Sequence, residues 1–108
     1  MHPITDKAEV AIDFPDKFYS GGFGRDCKFE ARADAEEMLI RLVRSEGEKR
    51  AVQIHLHHFL FAAILEDLAR SLAEREPIDE VHRVPLRDAA RLLADELERV
   101  SADTRLAR

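Results

Sequence analysis

The sequence predicts an α+β fold: an antiparallel β-meander of about three to four strands over residues 8–56, packed on two C-terminal helices at about 58–75 and 86–100. Three observations carry that prediction. Apolar and polar residues alternate with period two in successive central segments. Those segments, paired through short loops, close one fully apolar face. The last part of the chain then changes to a period near four.

The first strand candidate is Ala8 to Phe14, where Val10, Ile12 and Phe14 alternate with Glu9, Ala11 and Asp13. Asp13-Phe14-Pro15-Asp16 follows as a turn, since the proline ring pre-sets the φ that such a turn needs. Phe18 to Arg25 is expected to be an irregular loop, because Gly21, Gly22 and Gly24 fall within four residues. These glycines and Arg25 form a candidate phosphate or ligand loop. The stretch matches neither the P-loop pattern nor GxGxxG, so plain turn chemistry competes with that reading.

The meander proper is Phe29–Ala33, Met38–Leu42 and Val52–Leu56, joined by loops at Asp34–Glu37 and Ser45–Lys49. Gly47 is the residue free to take positive φ in the second loop. The loop lengths pair Ala33 with Met38, Ala31 with Ile40 and Phe29 with Leu42. They then pair Leu42 with Val52, Ile40 with Ile54 and Met38 with Leu56. Every residue on that face is apolar, and a one-residue slip in either hairpin would break it. The opposite face sets Glu30 beside Arg41, an opposite-charge pair worth roughly 0.2–1 kcal/mol.

A mostly α reading competes. Asp34-Ala35-Glu36-Glu37 and Ser45-Glu46-Gly47-Glu48 both resemble capping boxes, which would make 35–44 helical and open a long helix over about 46–75. Against it, Val52, Ile54 and Leu56 alternate with Gln53, His55 and His57, and a helix so built would scatter its apolar groups.

In 58–75, Leu60, Ile64, Leu68 and Leu72 recur every four residues, widened by Phe61 and Leu65. Glu66–Arg70 and Arg70–Glu74 are i,i+4 pairs on the wet side. Pro77 ends this helix, and 78–84 form a connector. Pro85 fits the first turn of the second helix, whose stripe is Leu86, Ala89, Ala90, Leu93, Leu97 and Val100. The chain reads as one domain, 1–108, with loose termini at 1–6 and 102–108.

A net charge of −5 opposes a broad nucleic-acid face. One cysteine, Cys27, allows no internal disulfide and fits a reducing compartment. No apolar run approaches the roughly 20 residues of a membrane span, and the N-terminus lacks the apolar core of a signal peptide. The expectation is a cytoplasmic protein without membrane partners. Arginine outnumbers lysine 13 to 4 and asparagine is absent, which points to a GC-rich bacterial source.

Three histidines crowd the stretch Val52–Phe61. Period two sets His55 and His57 on one sheet face, with Glu37 opposite His57, while His58 belongs to the strand–helix junction. His55, His57 and Glu37 are therefore the candidate ligands for a divalent metal, the one cofactor the sequence raises. No spacing specifies a fourth ligand. The competing readings are semi-polar residues on a partly covered face and a pH-sensitive contact. Cys27 lies near Arg25 and Lys28, which would lower a thiol pKa, but no histidine partner can be assigned.

No nucleophile elbow, zinc-finger spacing or HExxH helix occurs. The expected function is therefore a non-enzymatic interaction or regulatory module that self-associates. The outer sheet face supplies its interface candidates, Leu39, Arg41, Val43, Gln53 and His55, as a mixed apolar and charged strip. The alternative is a metal- or small-ligand-binding protein using His55 and His57.

Overall fold

A computed structural model describes the backbone of residues 1–106 and the side chains of residues 1–99. Six strands precede two helices: β1 (His2–Pro3), β2 (Ala8–Phe14), β3 (Lys17–Phe23), β4 (Lys28–Ala33), β5 (Glu37–Arg44), β6 (Arg50–His57), α1 (His58–Glu74) and α2 (Glu80–Leu106). The class is α+β. Two compact units divide the chain, Met1–Leu68 and Ala69–Arg108.

In the first unit a four-stranded antiparallel sheet has the order β1-β4-β5-β6, and β2 and β3 form a separate two-stranded ribbon. The meander keeps the expected register throughout. Phe29, Leu42 and Val52 form one row, Ala31, Ile40 and Ile54 the next, and Ala33, Met38 and Leu56 the third. The helical reading of 35–56 is thus overturned, because period-two alternation can bury an apolar set only on a strand. Gly47 takes φ +68° in the β5–β6 loop, where a side chain would be strained.

Asp34 explains why its segment resembled a helix start. Its Oδ1 accepts from the backbone amides of Glu36 at 2.8 Å and Glu37 at 2.9 Å. Those are the hydrogen bonds of a cap, used here to close a hairpin turn whose last residue leads into a strand.

Two further expectations fail in this unit. The N-terminal residues are not loose: His2 and Pro3 pair with Phe29 and Lys28, and Ile4 donates its amide to the Cys27 carbonyl at 3.0 Å. Pro3 is acceptable there because an edge position needs no donated ladder bond. The stretch Phe18–Arg25 is not an irregular loop either, since β3 runs through Gly21 and Gly22, paired with Val10 and Glu9. Pro15 and Asp16 make the tight connection between β2 and β3. Gly21 is small for a packing reason: a Cβ there would lie 2.8 Å from Nη1 of Arg50. A glycine in a strand often marks such a close approach.

The core forms where the ribbon and the N-terminal segment meet the first meander row. Ile4, Phe23 and Cys27 are buried, with Val10, Phe29, Leu42 and Val52 packed against them. The ribbon supplies the cover of this first row. Helix α1 follows β6 without a linker and buries none of its residues. Past the first row the apolar face is less covered: Ile40, Met38 and Leu56 are half-buried and Ile54 is exposed.

In the second unit α2 starts before the expected residue 86. The Asp79 carbonyl accepts from the amides of His82 and Arg83, so the helix begins at Glu80 and Pro85 falls inside it. Asp79 is a favoured residue at a helix start and outranks Pro85 as the initiator. Leu86 and Leu97 of the expected stripe are exposed, Leu93 is half-buried, and the Val100 side chain lies outside the described residues. The backbone of 102–106 is helical rather than loose, while 107–108 fall outside the described residues.

The packing gives a direct test. Phe23→Ala should cost about 3–5 kcal/mol in urea unfolding, because it empties the ribbon–sheet core. Phe18→Ala, on the same strand but 64% exposed, should stay within about 0.5 kcal/mol of the parent.

Candidate functional site

The outer face of the meander, opposite the apolar rows, carries most of the residues expected to be functional. The sheet sets Arg32, Leu39 and His55 in one row and Glu30, Arg41 and Gln53 in another. Leu39 lies on the central strand and is only 5% exposed. It forms part of a concavity of about 350 Å³ shared with Arg32, Ala33, Asp34, Glu37 and His55. A residue so covered cannot be a main contact, which corrects its place among the interface candidates. Arg41 and Val43 are half-buried, whereas Gln53 and His55 are exposed.

Glu37 pairs with His57 across the strands. Its carboxylate instead reaches diagonally to His55, with Oε1 2.9 Å from Nδ1. Nε2 of the same ring lies 2.7 Å from the amide nitrogen of Gln53. With the side-chain amide placed so, Gln53 donates to Nε2 and the imidazole donates Nδ1–H to Glu37. Both ring nitrogens are then occupied by protein groups. Among the described residues no three His, Cys, Asp or Glu groups stand where they could hold one metal ion. The proposed trio is therefore not assembled as a metal site: the Glu37 carboxylate meets His55 and not its cross-strand partner His57. The diagonal neighbour wins because the glutamate side chain is long enough to span the offset between strands.

His58 has a structural task. Its Nε2 lies 2.9 Å from the Asp34 carbonyl oxygen, to which it donates, tying the first residue of α1 to the β4–β5 turn. Asp34 is thereby held at both ends. The amide of Glu36, then that of Glu37, holds its carboxyl below the ordinary value of 3.8, and the charges of His58 and Arg32 act in the same direction.

The remaining candidates are not brought to this face. Gly21 and Gly22 belong to β3. Gly24 accepts the Cys27 amide through its carbonyl, and Arg25 is exposed. The Cys27 thiol is 2% exposed and contacts Oδ1 of its neighbour Asp26 at 3.4 Å. A thiol so enclosed contributes to packing.

Sequence reasoning missed a different surface. Met38, Ile40, Ile54 and Leu56 were assigned to a covered core, but the ribbon spans only the first apolar row. The available signal was geometric. Of the ribbon's apolar residues only Val10 and Phe23, at its open end, join the core, too few to cover three rows.

The site and fold define the chain as a small α+β protein with a half-covered meander. Comparison with known protein families, curated proteins and solved structures gave no match.

The Asp34 turn yields a pH prediction. A carboxyl whose folded pKa is depressed contributes stability above its unfolded pKa, and that contribution is lost as pH falls through the folded value. In an NMR titration the Glu36 and Glu37 amide signals should move together with a midpoint below 3.8. In Asp34→Ala that common acid step should vanish.

Proposed function

We propose that the chain is a non-enzymatic interaction module that works as a homodimer. The observation that carries this reading is the apolar surface left open in the first unit. Ile54 of the meander and Leu60, Ile64, Leu65 and Leu68 of α1 are each between 37 and 56% exposed. Single exposed apolar residues are ordinary, but a helix stripe with no buried member is not. Such stripes are stable when something covers them.

A second copy is the partner that needs no further molecule, and closed two-fold dimers are the commonest assembly. Covering what those residues still expose is worth about 3–7 kcal/mol per copy. Association itself costs roughly 4–15 kcal/mol, so the dimer is expected to respond to concentration.

Two features favour interaction over catalysis. The His55 ring is committed to Glu37 and Gln53, and the one thiol is enclosed. The single cysteine and the arginine-rich, asparagine-free composition support a bacterial, cytoplasmic setting.

Sedimentation velocity from about 1 to 100 μM should show a monomer–dimer equilibrium. Leu60→Ser combined with Ile64→Ser should weaken it by about tenfold or more. A parent protein that sediments as a monomer throughout refutes the reading.

A further inference from the structure

We infer that β6 is the dimer seam: two copies pair their β6 strands antiparallel about a two-fold axis at Ile54, joining two four-stranded sheets into one of eight. The inference rests on the self-association proposed above and specifies where it occurs.

The sheet order leaves β6 as a terminal strand, hydrogen-bonded to β5 along its whole length. Successive residues of a strand point their backbone groups to opposite edges, so half of the β6 groups face outward. Among the described residues no backbone hydrogen bond outside the sheets involves 51–57. An open row of this kind is a template for another strand.

Proteins that must keep an edge unpaired protect it with charge, proline, a bulge or a short strand. The other side of this sheet shows such protection. Its terminal strand β1 is two residues long and contains Pro3, and the uncovered part of β4 carries Glu30 and Arg32. Strand β6 has none of these features after its first residue, Arg50. It is eight residues long, its register with β5 is unbroken, and Ala51 to His57 contains no Lys, Arg, Asp, Glu or Pro. Self-pairing therefore sets no like formal charges opposite one another over that stretch.

The side chains select the register. With Ile54 opposite Ile54 of the second copy, Val52 faces Leu56, Gln53 faces His55 and Ala51 faces His57. The apolar face continues across the seam and the polar face meets a polar face. Sliding by two residues sets Arg50 opposite Leu56 in one direction and His55 opposite His55 in the other. An odd slip turns one copy's apolar face against the other's polar face. Ile54, 40% exposed in the middle of its strand, lacks a neighbour on the open side, and the dyad supplies one.

One strand edge buries less than the roughly 800 Å² per partner of a standard interface. The chain enters α1 directly from β6, and Leu60, Ile64, Leu65 and Leu68 supply apolar area beyond the seam. The occupant is thus a second copy, not an extended peptide, which would leave that stripe open.

Charge reversal at the dyad tests the seam. Ile54→Lys and Ile54→Glu should each lower the dimer fraction at least tenfold in sedimentation, while the equimolar mixture should restore dimers of mixed composition by native mass spectrometry. Ile54→Cys, oxidised with glutathione disulfide, should cross-link to a covalent dimer. Directly opposed strand residues lie about 4.5–5.5 Å apart at Cα, within disulfide range. Arg32→Cys, on β4, should not cross-link. If the charge variants remain folded dimers and Ile54→Cys does not cross-link, the seam is wrong although self-association stands. A monomeric parent removes both. Should the charge variants fail to fold, the Ile54→Cys cross-link decides.

Discussion

The structure depends on the antiparallel register of β4, β5 and β6. Two short loops set it, one closed by the Asp34 carboxylate and one turned by Gly47. With those loops in place, Phe29, Leu42 and Val52 must share a row, and the rows of Ile40 and Met38 must follow on the same face. Displacing either hairpin by one residue would put polar or charged side chains among them, so the alternatives are strongly disfavoured. The polar face is the other consequence. His55 reaches Glu37 because the same register places their strands in adjacent positions.

What covers the apolar face is smaller than what the register creates. The β2–β3 ribbon bears its weight on one row, through Phe23 and Val10, with Ile4 and Cys27 filling the angle beside it. Its approach is close enough that Arg50 lies over Gly21 in place of a side chain. At the hairpin end of the ribbon Phe14 and Tyr19 pack edge to face with their centroids 6.2 Å apart and remain exposed. The sheet stays half-covered because only Val10 and Phe23 of the ribbon join the core. Adding Ile54 and the α1 stripe gives an interaction surface without any change in the sheet itself.

Much of the meander was legible because strand alternation and loop length act locally and agree. The cross-strand pairs from Phe29 to Leu56 could be read before any coordinates, as could the place of Gly47 and the start of α1 at His58. What escaped were interactions that depend on distant partners. Nothing around residue 2 signals a strand, because β1 exists only by pairing with β4. The glycines of β3 looked like a loop because the close approach of Arg50 to Gly21 comes from another strand. The site shows the same division. Periodicity placed His55 and His57 on one face, but side-chain reach decided that Glu37 serves His55. The burial of Leu39 likewise depends on its flanking rows, beyond what alternation along β5 reveals.

Strand β6 concentrates these effects. Its alternation makes it a strand despite a sequence that runs without a break into a helix, and the change occurs between His57 and His58. The His58 imidazole bonds to the Asp34 carbonyl, so the start of the helix is anchored to a turn that does not belong to its own strand. That anchor fixes where β6 must end. The β5 ladder fixes where it begins, and from Ala51 to His57 the edge carries no formal charge and is unpaired. A strand held so firmly on one side pays little entropy to pair on the other, since its backbone is already ordered. The features that secure β6 to its own sheet are therefore the same features that prepare its free edge for a second copy.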